Sequence, residues 1–281
     1  MSDPIVEADD LVFVYPGGVR ALDGIDLRIN AGERVAIIGQ NGSGKSTLVR
    51  HFVGLLRATA GVVRVGGEPI GRRHVAELAR TVGIAFQNPD RQIFAARVRN
   101  EVAFGPRNLG LRGAALEQRV QSALEAVGLA GRADSNPYDL GYSQRKLLAL
   151  ASILAMGAPL VVLDEPTTGQ DARGVRRVAT VVAELAAKGT TVVSISHDMR
   201  FVAETAGRVL VMRDGRIVDD GPSESVFAEA RWPVLESTYL EPPLAARAGA
   251  RLGLGSTPTE ASLVARAVEK VEAEGGFSAP G

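Results

Sequence analysis

The stretch that decides the fold is residues 35–46, which read Val35-Ala36-Ile37-Ile38-Gly39-Gln40-Asn41-Gly42-Ser43-Gly44-Lys45-Ser46. A run of apolar residues such as 35–38 is typical of a strand that is buried on both faces of a parallel sheet. Residues 39–46 fit G-x-x-x-x-G-K-S, in which glycines let backbone N–H groups close on phosphate oxygens and Lys45 supplies a positive charge. An ordinary glycine-rich turn is the alternative. The strand before the loop and the helix that starts at Ser46 favour phosphate binding.

The loop also predicts which residues hold a nucleotide and its metal ion. We expect the phosphate contacts to come from Gly39, Gln40, Asn41, Gly42, Ser43, Gly44, Lys45, Ser46 and Thr47. The Ser46 hydroxyl is placed to ligate Mg²⁺ beside the phosphates. ATP and Mg²⁺ are therefore the expected cofactors.

Two adjacent carboxylates follow a second apolar run, in the order Val161-Val162-Leu163-Asp164-Glu165. Ligands of α/β sheets collect at the carboxyl ends of the strands, where both acids are expected to lie. Because like charges repel, a cation is expected nearby. Asp164 would hold Mg²⁺, and Glu165 would orient the attacking water or take its proton. A solvated acidic turn is the alternative interpretation.

Composition and charge limit the classes of function. The 281 residues fit one large domain, or one domain with a small appendage. Lys plus Arg and Asp plus Glu both number 32, so no net charge attracts nucleic acid, and we expect no nucleic-acid partner. The chain has no Cys, which excludes disulfides and thiolate metal sites. Residues 1–10 lack the basic start and apolar core of a secretory signal.

Residues 147–163 contain no charged side chain and approach the ~18 apolar residues that suggest a membrane span. Gly157 and Pro159 interrupt this stretch. A buried helix over residues 147–156, followed by a buried strand over residues 160–163, is the better interpretation.

The remaining patterns predict an α/β fold. Strands are expected over residues 11–15, 24–29, 160–163, 190–195 and 209–212, with a glycine-rich hairpin-like region over residues 61–70 and a helix over residues 174–188. Residues 74–156 are mostly helical in pattern, which predicts an inserted helical lobe.

The composition changes after residue 230, where Pro, Ala and Gly become frequent. We expect residues 1–230 to form the main domain and residues 231–281 to form a linker or short helical appendage. Thr257-Pro258-Thr259-Glu260 supplies the start of a helix whose apolar stripe is Val264, Val268 and Val271. That stripe is expected to pack on its own domain, with a subunit interface as the alternative.

The order of the motifs resembles that of the ATP-binding subunit of ABC transporters, over residues 5–230. The motifs that carry the resemblance are the phosphate loop, Gln87, residues 140–144, the Asp164-Glu165 pair, Asp171 and His197. Residues 86–94 (Phe-Gln-Asn-Pro-Asp-Arg-Gln-Ile-Phe) and the following residues 101–106 are similar to the energy-coupling-factor group, which drives uptake of vitamins or of cobalt and nickel ions. The resemblance implies a P-loop core, a small antiparallel β subdomain and an inserted helical subdomain.

The resemblance also implies roles for single residues. Tyr15 would stack on adenine, although it fits the core of an edge strand equally well. Gln87 would contact Mg²⁺ or the attacking water, and would report the nucleotide state to a membrane partner. His197 would hydrogen-bond the γ-phosphate and position the water together with Glu165. Asp171 would lie in a loop at a dimer interface, although the family usually has an aliphatic residue where Gln170 stands.

The sequence departs from the family at the signature motif, which is usually Leu-Ser-Gly-Gly-Gln and is presented to the nucleotide of the opposite subunit. Here the motif reads Leu140-Gly141-Tyr142-Ser143-Gln144, so a glycine that permits close approach is replaced by a tyrosine. Helix N–H groups and the Ser143 hydroxyl could still bind an anion. We expect Gly141, Tyr142, Ser143 and Gln144 to contact nucleotide, in either an asymmetric pair of subunits or a homodimer.

These inferences predict an ATP-hydrolysing subunit at the cytoplasmic face of the cell membrane. Its expected partners are a second ATP-binding subunit and integral membrane transport subunits, one of which binds the substrate. A regulatory subunit with low turnover is one alternative. A non-transport ABC ATPase would need a coiled-coil insertion or a second ATPase domain, and neither is visible in the sequence.

Overall fold

The computed structural model describes residues 4–273, which form ten strands and eleven α-helices. The strands are β1 (Pro4–Val14), β2 (Arg20–Asn30), β3 (Arg34–Ile38), β4 (Ala60–Val65), β5 (Glu68–Pro69), β6 (Val82–Ala85), β7 (Leu160–Asp164), β8 (Thr191–Ile195), β9 (Arg208–Arg213) and β10 (Arg216–Pro222). The helices are α1 (Lys45–Phe52), α2 (Val75–Leu78), α3 (Val98–Asn108), α4 (Gly113–Ala126), α5 (Tyr142–Met156), α6 (Ala172–Ala187), α7 (Met199–Thr205), α8 (Ser223–Val226), α9 (Trp232–Glu236), α10 (Leu244–Arg251) and α11 (Glu260–Ala273).

The larger sheet has the strand order β10-β9-β3-β8-β7-β6. All neighbouring pairs are parallel except β9 and β10, which are antiparallel. The apolar run 35–38 lies in β3, and each of its side chains is almost completely buried. Because β3 has a strand on either side and both of its faces are covered, its side chains are apolar on both faces and do not alternate with polar ones. The predicted α/β core is confirmed.

The smaller sheet is antiparallel, with the order β2-β1-β4-β5. Leu11 and Phe13 are buried, whereas Val12 and Val14 are half-buried, so the side chains in this part of β1 alternate between a buried and a more exposed face. One hydrophobic cluster joins this sheet to α1 and to the larger sheet through Leu11, Leu48 and Ile37. The predicted small antiparallel subdomain therefore packs directly over the helix that follows the phosphate loop.

The helical lobe begins later than residue 74. Helices α3, α4 and α5, within residues 98–156, pack together in one buried cluster that also includes Val161 of β7 and Val178 of α6. The strand β6 lies inside the predicted lobe but pairs with β7 in the larger sheet, Val82 opposite Leu160. A strand of only four residues is too short for its sequence pattern to distinguish it from a helical segment, so only its pairing partner identifies it.

Residues 147–163 form the C-terminal part of α5 and then β7, as the sequence predicts. Both elements are buried against the rest of the fold. Within residues 4–273, every helix is too short or too polar to cross a bilayer.

The exposure of the C-terminal helix α11 differs from the prediction. The valine stripe of α11 is exposed, with Val264 62%, Val268 50% and Val271 42% accessible. The expectation that this stripe packs on its own domain is therefore wrong. Leu235 in α9, by contrast, is buried in one cluster with Phe227. The last part of the predicted appendage, residues 274–281, lies outside the described residues.

The start of α11 also differs from the predicted start. The Thr259 hydroxyl accepts a hydrogen bond from the Ser262 N–H at 3.1 Å, which makes Thr259 the N-cap. Thr257 is instead completely buried, and its hydroxyl donates to the Ala245 carbonyl oxygen at 2.8 Å. Two threonines that are equivalent in sequence thus have different roles, because only one of them faces α10.

Candidate active site

The phosphate loop, residues 39–46, connects β3 to α1 at the carboxyl edge of the larger sheet. The buried Lys45 ammonium donates to the carbonyl oxygens of Gly39 at 2.7 Å and Gln40 at 2.8 Å. Burial lowers the pKa of Lys45, and the Asp–Glu pair at the end of β7 partly opposes this shift. A cation that is held inside a loop of backbone N–H groups suits phosphate oxygens.

The first glycine of the loop is fixed by its surroundings. Gly39 has φ of 148°, and a Cβ at this position would lie 2.2 Å from the Met212 carbonyl oxygen. Any other residue would collide with the backbone of β9. The loop therefore keeps its shape because it is packed against the neighbouring strand.

Ser46 and Asp164 meet beside the phosphate loop, as expected of two ligands of one metal ion. The Ser46 hydroxyl donates to Oδ1 of Asp164 at 3.3 Å, although the residues are 118 positions apart. Burial raises the pKa of Asp164, repulsion from Glu165 raises it further, and the Ser46 hydrogen bond lowers it. A carboxylate under this repulsion is stabilised by a bound cation.

Glu165 and His197 form a second pair. Oε2 of Glu165 lies 2.8 Å from Nδ1 of His197, with side-chain exposures of 10% and 63% respectively. The Thr168 hydroxyl donates to the same carboxylate oxygen at 3.3 Å. Glu165 has φ of 52°, an unusual value for a residue with a side chain, and its N–H donates to the Ile195 carbonyl oxygen at 2.9 Å. The two residues that the sequence assigns to the attacking water are thus brought together.

Lys146 is a member of this site that the sequence interpretation missed. Its buried ammonium donates to the backbone carbonyl oxygens of Glu165 at 2.5 Å and Thr168 at 2.8 Å. The available signal was helical spacing, because Lys146 precedes the buried Ala149 and Leu150 by three and four positions. A charged residue on the buried face of a helix needs a polar partner.

Tyr15 lies at the end of β1, half-buried beside the helix α1. Its hydroxyl is 3.0 Å from the Thr47 hydroxyl, and its ring packs edge-on against Phe13 at a centroid distance of 4.8 Å. The ring therefore belongs in part to the core and in part to the surface next to the phosphate loop. Both sequence-based interpretations of Tyr15 are compatible with this position.

Gln87 follows β6 by two residues and is exposed. Because β6 and β7 are parallel neighbours, Gln87 lies at the same edge of the sheet as Asp164. The segment around it is tied to α5 through Gln92, whose side-chain carbonyl accepts from the Phe86 N–H at 3.2 Å and whose amide donates to the Ala149 carbonyl oxygen at 3.1 Å.

The atypical signature residues contact another loop of the same chain. Gly141 is the N-cap of α5, and the exposed Tyr142 begins the helix. The Tyr142 ring covers Gly169 so closely that a Cβ there would lie 2.6 Å from a ring carbon. The Ser143 hydroxyl donates to the side-chain carbonyl of Gln170. The hydroxyl that the sequence suggests for anion binding is therefore already hydrogen-bonded within the chain.

The other predicted members of this surface are Gln144 and Asp171. Gln144 is half-buried in the first turn of α5. Asp171 is exposed, and its carboxylate accepts from the Gly174 N–H at 2.7 Å, which caps α6. The described geometry thus gives Asp171 a local role as an N-cap.

These parts together define an ATP-hydrolysing enzyme of the P-loop class. A model of the ABC transporter family matches residues 22–168. The energy-coupling factor transporter ATP-binding protein EcfA of Methanocaldococcus jannaschii is 45% identical over 227 residues, which cover 80% of this chain and 81% of that protein. The chain belongs to the ABC transporter family, in the group of energy-coupling factor ATP-binding proteins.

Solved structures with the same fold agree with this assignment. The structure of cbiO1 from Clostridium perfringens, part of the ABC transporter complex cbiONQ, has a TM-score of 0.74 and 35% identity, and the match covers 84% of this chain and 94% of that chain. A dimeric ATP-binding cassette in a post-hydrolysis state with ADP and phosphate has a TM-score of 0.71 and 26% identity, and the match covers 78% of this chain and 98% of that one.

Proposed function

We propose that this chain hydrolyses ATP to power uptake of a vitamin or a transition-metal ion through separate membrane proteins, as a peripheral subunit on the cytoplasmic face. The observation that carries the proposal is the convergence of Lys45, the Ser46–Asp164 pair and the Glu165–His197 pair at one edge of the sheet. Residues 1–230 would form the ATP-binding domain, with residues 231–281 as an appendage.

The residues at this edge fit ATP with Mg²⁺. The N–H groups of residues 39–47 would surround the phosphates, and Lys45 would exchange its two carbonyl acceptors for phosphate oxygens. The Ser46 hydroxyl and the Asp164 carboxylate are hard oxygen ligands of the kind that Mg²⁺ prefers. The exposed side-chain amide of Gln87 lies at the same carboxyl edge of the larger sheet. Bound Mg²⁺ would neutralise charge on the β- and γ-phosphates.

Glu165 and His197 are proposed to act on the attacking water. The Glu165 carboxylate would accept a proton from the attacking water as the water oxygen bonds to the γ-phosphorus. The bond between the γ-phosphorus and the β,γ-bridging oxygen breaks, which releases ADP and phosphate. His197 would donate to a γ-phosphate oxygen from its exposed edge while Nδ1 stays near Glu165. Tyr15 would lie beside the adenine, held by its contact with Thr47.

The opposite half of each ATP site is proposed to come from a second ATP-binding subunit. Gly141, Tyr142, Ser143 and Gln144 lie at the start of α5, where helix N–H groups can face the nucleotide of a partner. Tyr142 is partly exposed, and Ser143 is bonded to Gln170, so this half differs from the usual signature. An asymmetric pair, in which the partner has the usual signature, is the arrangement that these contacts favour.

An exposed aromatic pair supports contact with a membrane subunit. Phe94 and Phe104 are 59% and 49% exposed and pack edge-on, with their ring centroids 4.7 Å apart. The buried Glu101 carboxylate accepts from the N–H groups of Phe94 and Ala95 at 3.0 and 2.8 Å, which fixes the loop that carries Phe94. This loop follows Gln87, so a partner that binds the two rings would sense the nucleotide site.

The test is Glu165→Gln, with Glu184→Gln on the exposed face of α6 as the matched control. We expect Glu165→Gln to bind ATP with unchanged affinity and to lose turnover by about 10²–10⁴-fold, whereas the control retains turnover. Phosphate release and nucleotide titration, measured with Mg²⁺, give both quantities. Persistent turnover in Glu165→Gln would refute the assigned role.

A second experiment addresses the partners. Copurification of the chain with integral membrane proteins, one of which binds a vitamin, cobalt or nickel, is the expected result. Brisk cooperative hydrolysis by the chain alone would contradict the asymmetric arrangement and favour a homodimer. Binding of ATP without turnover, even with the copurified proteins, would favour a regulatory subunit.

A further inference from the structure

The segment that begins at the proposed base, residues 165–170, is hydrogen-bonded to the first turns of α5. Lys146 is 7% exposed, and its ammonium bridges the carbonyl oxygens of Glu165 and Thr168. The hydroxyl of Thr168 donates in turn to the Glu165 carboxylate at 3.3 Å. Lys146 therefore binds the backbone of Glu165 and of Thr168, the two residues whose side chains are hydrogen-bonded to each other.

The backbone at Glu165 needs such a support. Its φ of 52° is in the left-handed region, which a residue with a Cβ adopts at an energetic cost and retains only when its surroundings require it. The N–H of Glu165 is bonded to Ile195 of β8, and its carbonyl oxygen is bonded to Lys146. These two hydrogen bonds lie on either side of the rotatable bonds that set the direction of the carboxylate.

We propose that Lys146 is a positioning residue, which directs the Glu165 carboxylate towards the attacking water by fixing the Glu165 and Thr168 carbonyl groups. This inference rests on the proposed role of Glu165 in hydrolysis. A buried ammonium is suited to this task, because it can donate to two carbonyl oxygens at once and makes a stronger hydrogen bond than a neutral donor.

The position of Lys146 also links two halves of the enzyme. Lys146 is one turn after Tyr142 and Ser143, which contact Gly169 and Gln170 at the far end of the same segment. The start of α5 and residues 165–170 are thus one connected unit. A partner nucleotide that moves the start of α5 would move the backbone of Glu165 through Lys146.

The experiment compares Lys146→Met, which removes the donors, with Lys146→Arg, which retains them. Lys188→Met, at the exposed end of α6, is the control. We expect Lys146→Met to reduce kcat by about 10- to 100-fold, since misplacement of a reacting group by 1 Å can cost about 10²-fold. Its nucleotide affinity should stay within about twofold of the native value, and Lys146→Arg should recover part of kcat. Parallel loss of nucleotide affinity, or native kcat in Lys146→Met, would overturn the proposal.

A double variant separates this inference from the role of Glu165. If Lys146 acts through Glu165, then Lys146→Met added to Glu165→Gln leaves the residual turnover unchanged. A further loss of the same size as in the single variant would show that Lys146 acts elsewhere. Native turnover in Glu165→Gln would remove the proposed function itself. If Lys146→Met does not fold, Lys146→Gln replaces it: its shorter, neutral amide cannot hold both carbonyl oxygens as the ammonium does, so kcat should still fall at unchanged nucleotide affinity, and native kcat in Lys146→Gln would overturn the proposal.

Discussion

The hydrogen bond between Ser143 and Gln170 allows a quantitative test, because both residues depart from the family pattern and contact each other. We predict that the two positions are energetically coupled. Ser143→Ala leaves the Gln170 carbonyl oxygen without its donor, and Gln170→Leu leaves the Ser143 hydroxyl without its acceptor. Each side chain is half-buried, so water replaces the lost partner only in part.

The expected size follows from the type of bond. A neutral side-chain hydrogen bond contributes about 0.5–1.5 kcal/mol, so each single variant should lose about 1 kcal/mol of unfolding free energy. For a chain of this size that corresponds to a fall in Tm of about 2–4 °C. The double variant should lose about as much as one single variant, which gives a coupling free energy of about 1 kcal/mol.

The assay is urea unfolding of the native protein, the two single variants and the double variant, followed by fluorescence of the Trp. Ser152→Ala is a matched control on the same helix, because the Ser152 hydroxyl donates only to the Leu148 carbonyl oxygen one turn earlier, at 3.1 Å. We expect it to change stability by no more than a few tenths of a kcal/mol. Additive losses from Ser143→Ala and Gln170→Leu would refute the coupling of the signature residues 140–144 to Gln170.

Three further predictions concern Gly39 and Tyr15 of the site and the buried His51 of helix α1. Gly39→Ala should abolish nucleotide binding or folding, because its Cβ would lie 2.2 Å from the Met212 carbonyl oxygen. Calorimetric titration with ATP measures the affinity, and a native affinity would contradict this prediction. Burial lowers the pKa of His51 below its usual 6.5, so the native state loses stability as pH falls below about 6.5, by at most about 1.4 kcal/mol per pH unit for this group. His51→Gln should therefore flatten the pH dependence of the unfolding free energy measured in urea. An unchanged slope would contradict the lowered pKa. Tyr15→Ala should weaken ATP binding more than Tyr15→Phe, which keeps the ring but loses the contact with Thr47; equal losses would assign the effect to the hydroxyl.

The sequence was sufficient to predict the motifs whose residues are adjacent in the chain. The phosphate loop could be predicted because residues 35–46 contain the buried strand, the glycines and the lysine in one continuous stretch. The Asp164-Glu165 pair was recognisable for the same reason, since it directly follows an apolar strand. The order of these motifs then pointed to the family, which the comparisons confirm.

Two errors arose where the decisive contacts are distant in sequence. The pattern of strand β6 alone is ambiguous, so the sequence predicts that it belongs to the helical lobe, whereas its partner β7 begins 78 residues after the start of β6. The valines of α11 have the spacing of a packed stripe, yet they are exposed, since the spacing shows that a face is apolar but not what covers it.

The sequence by itself determined the phosphate loop, the acidic pair and the class of enzyme, because each depends on residue type and local spacing. Only the tertiary structure decided which side chains share the site. It joined Ser46 to Asp164, His197 to Glu165 and Lys146 to the Glu165 backbone. The physical reason is that the sheet order places the carboxyl ends of β3, β7 and β8 at one edge, and strand pairing between residues far apart in the chain is not encoded in any local pattern.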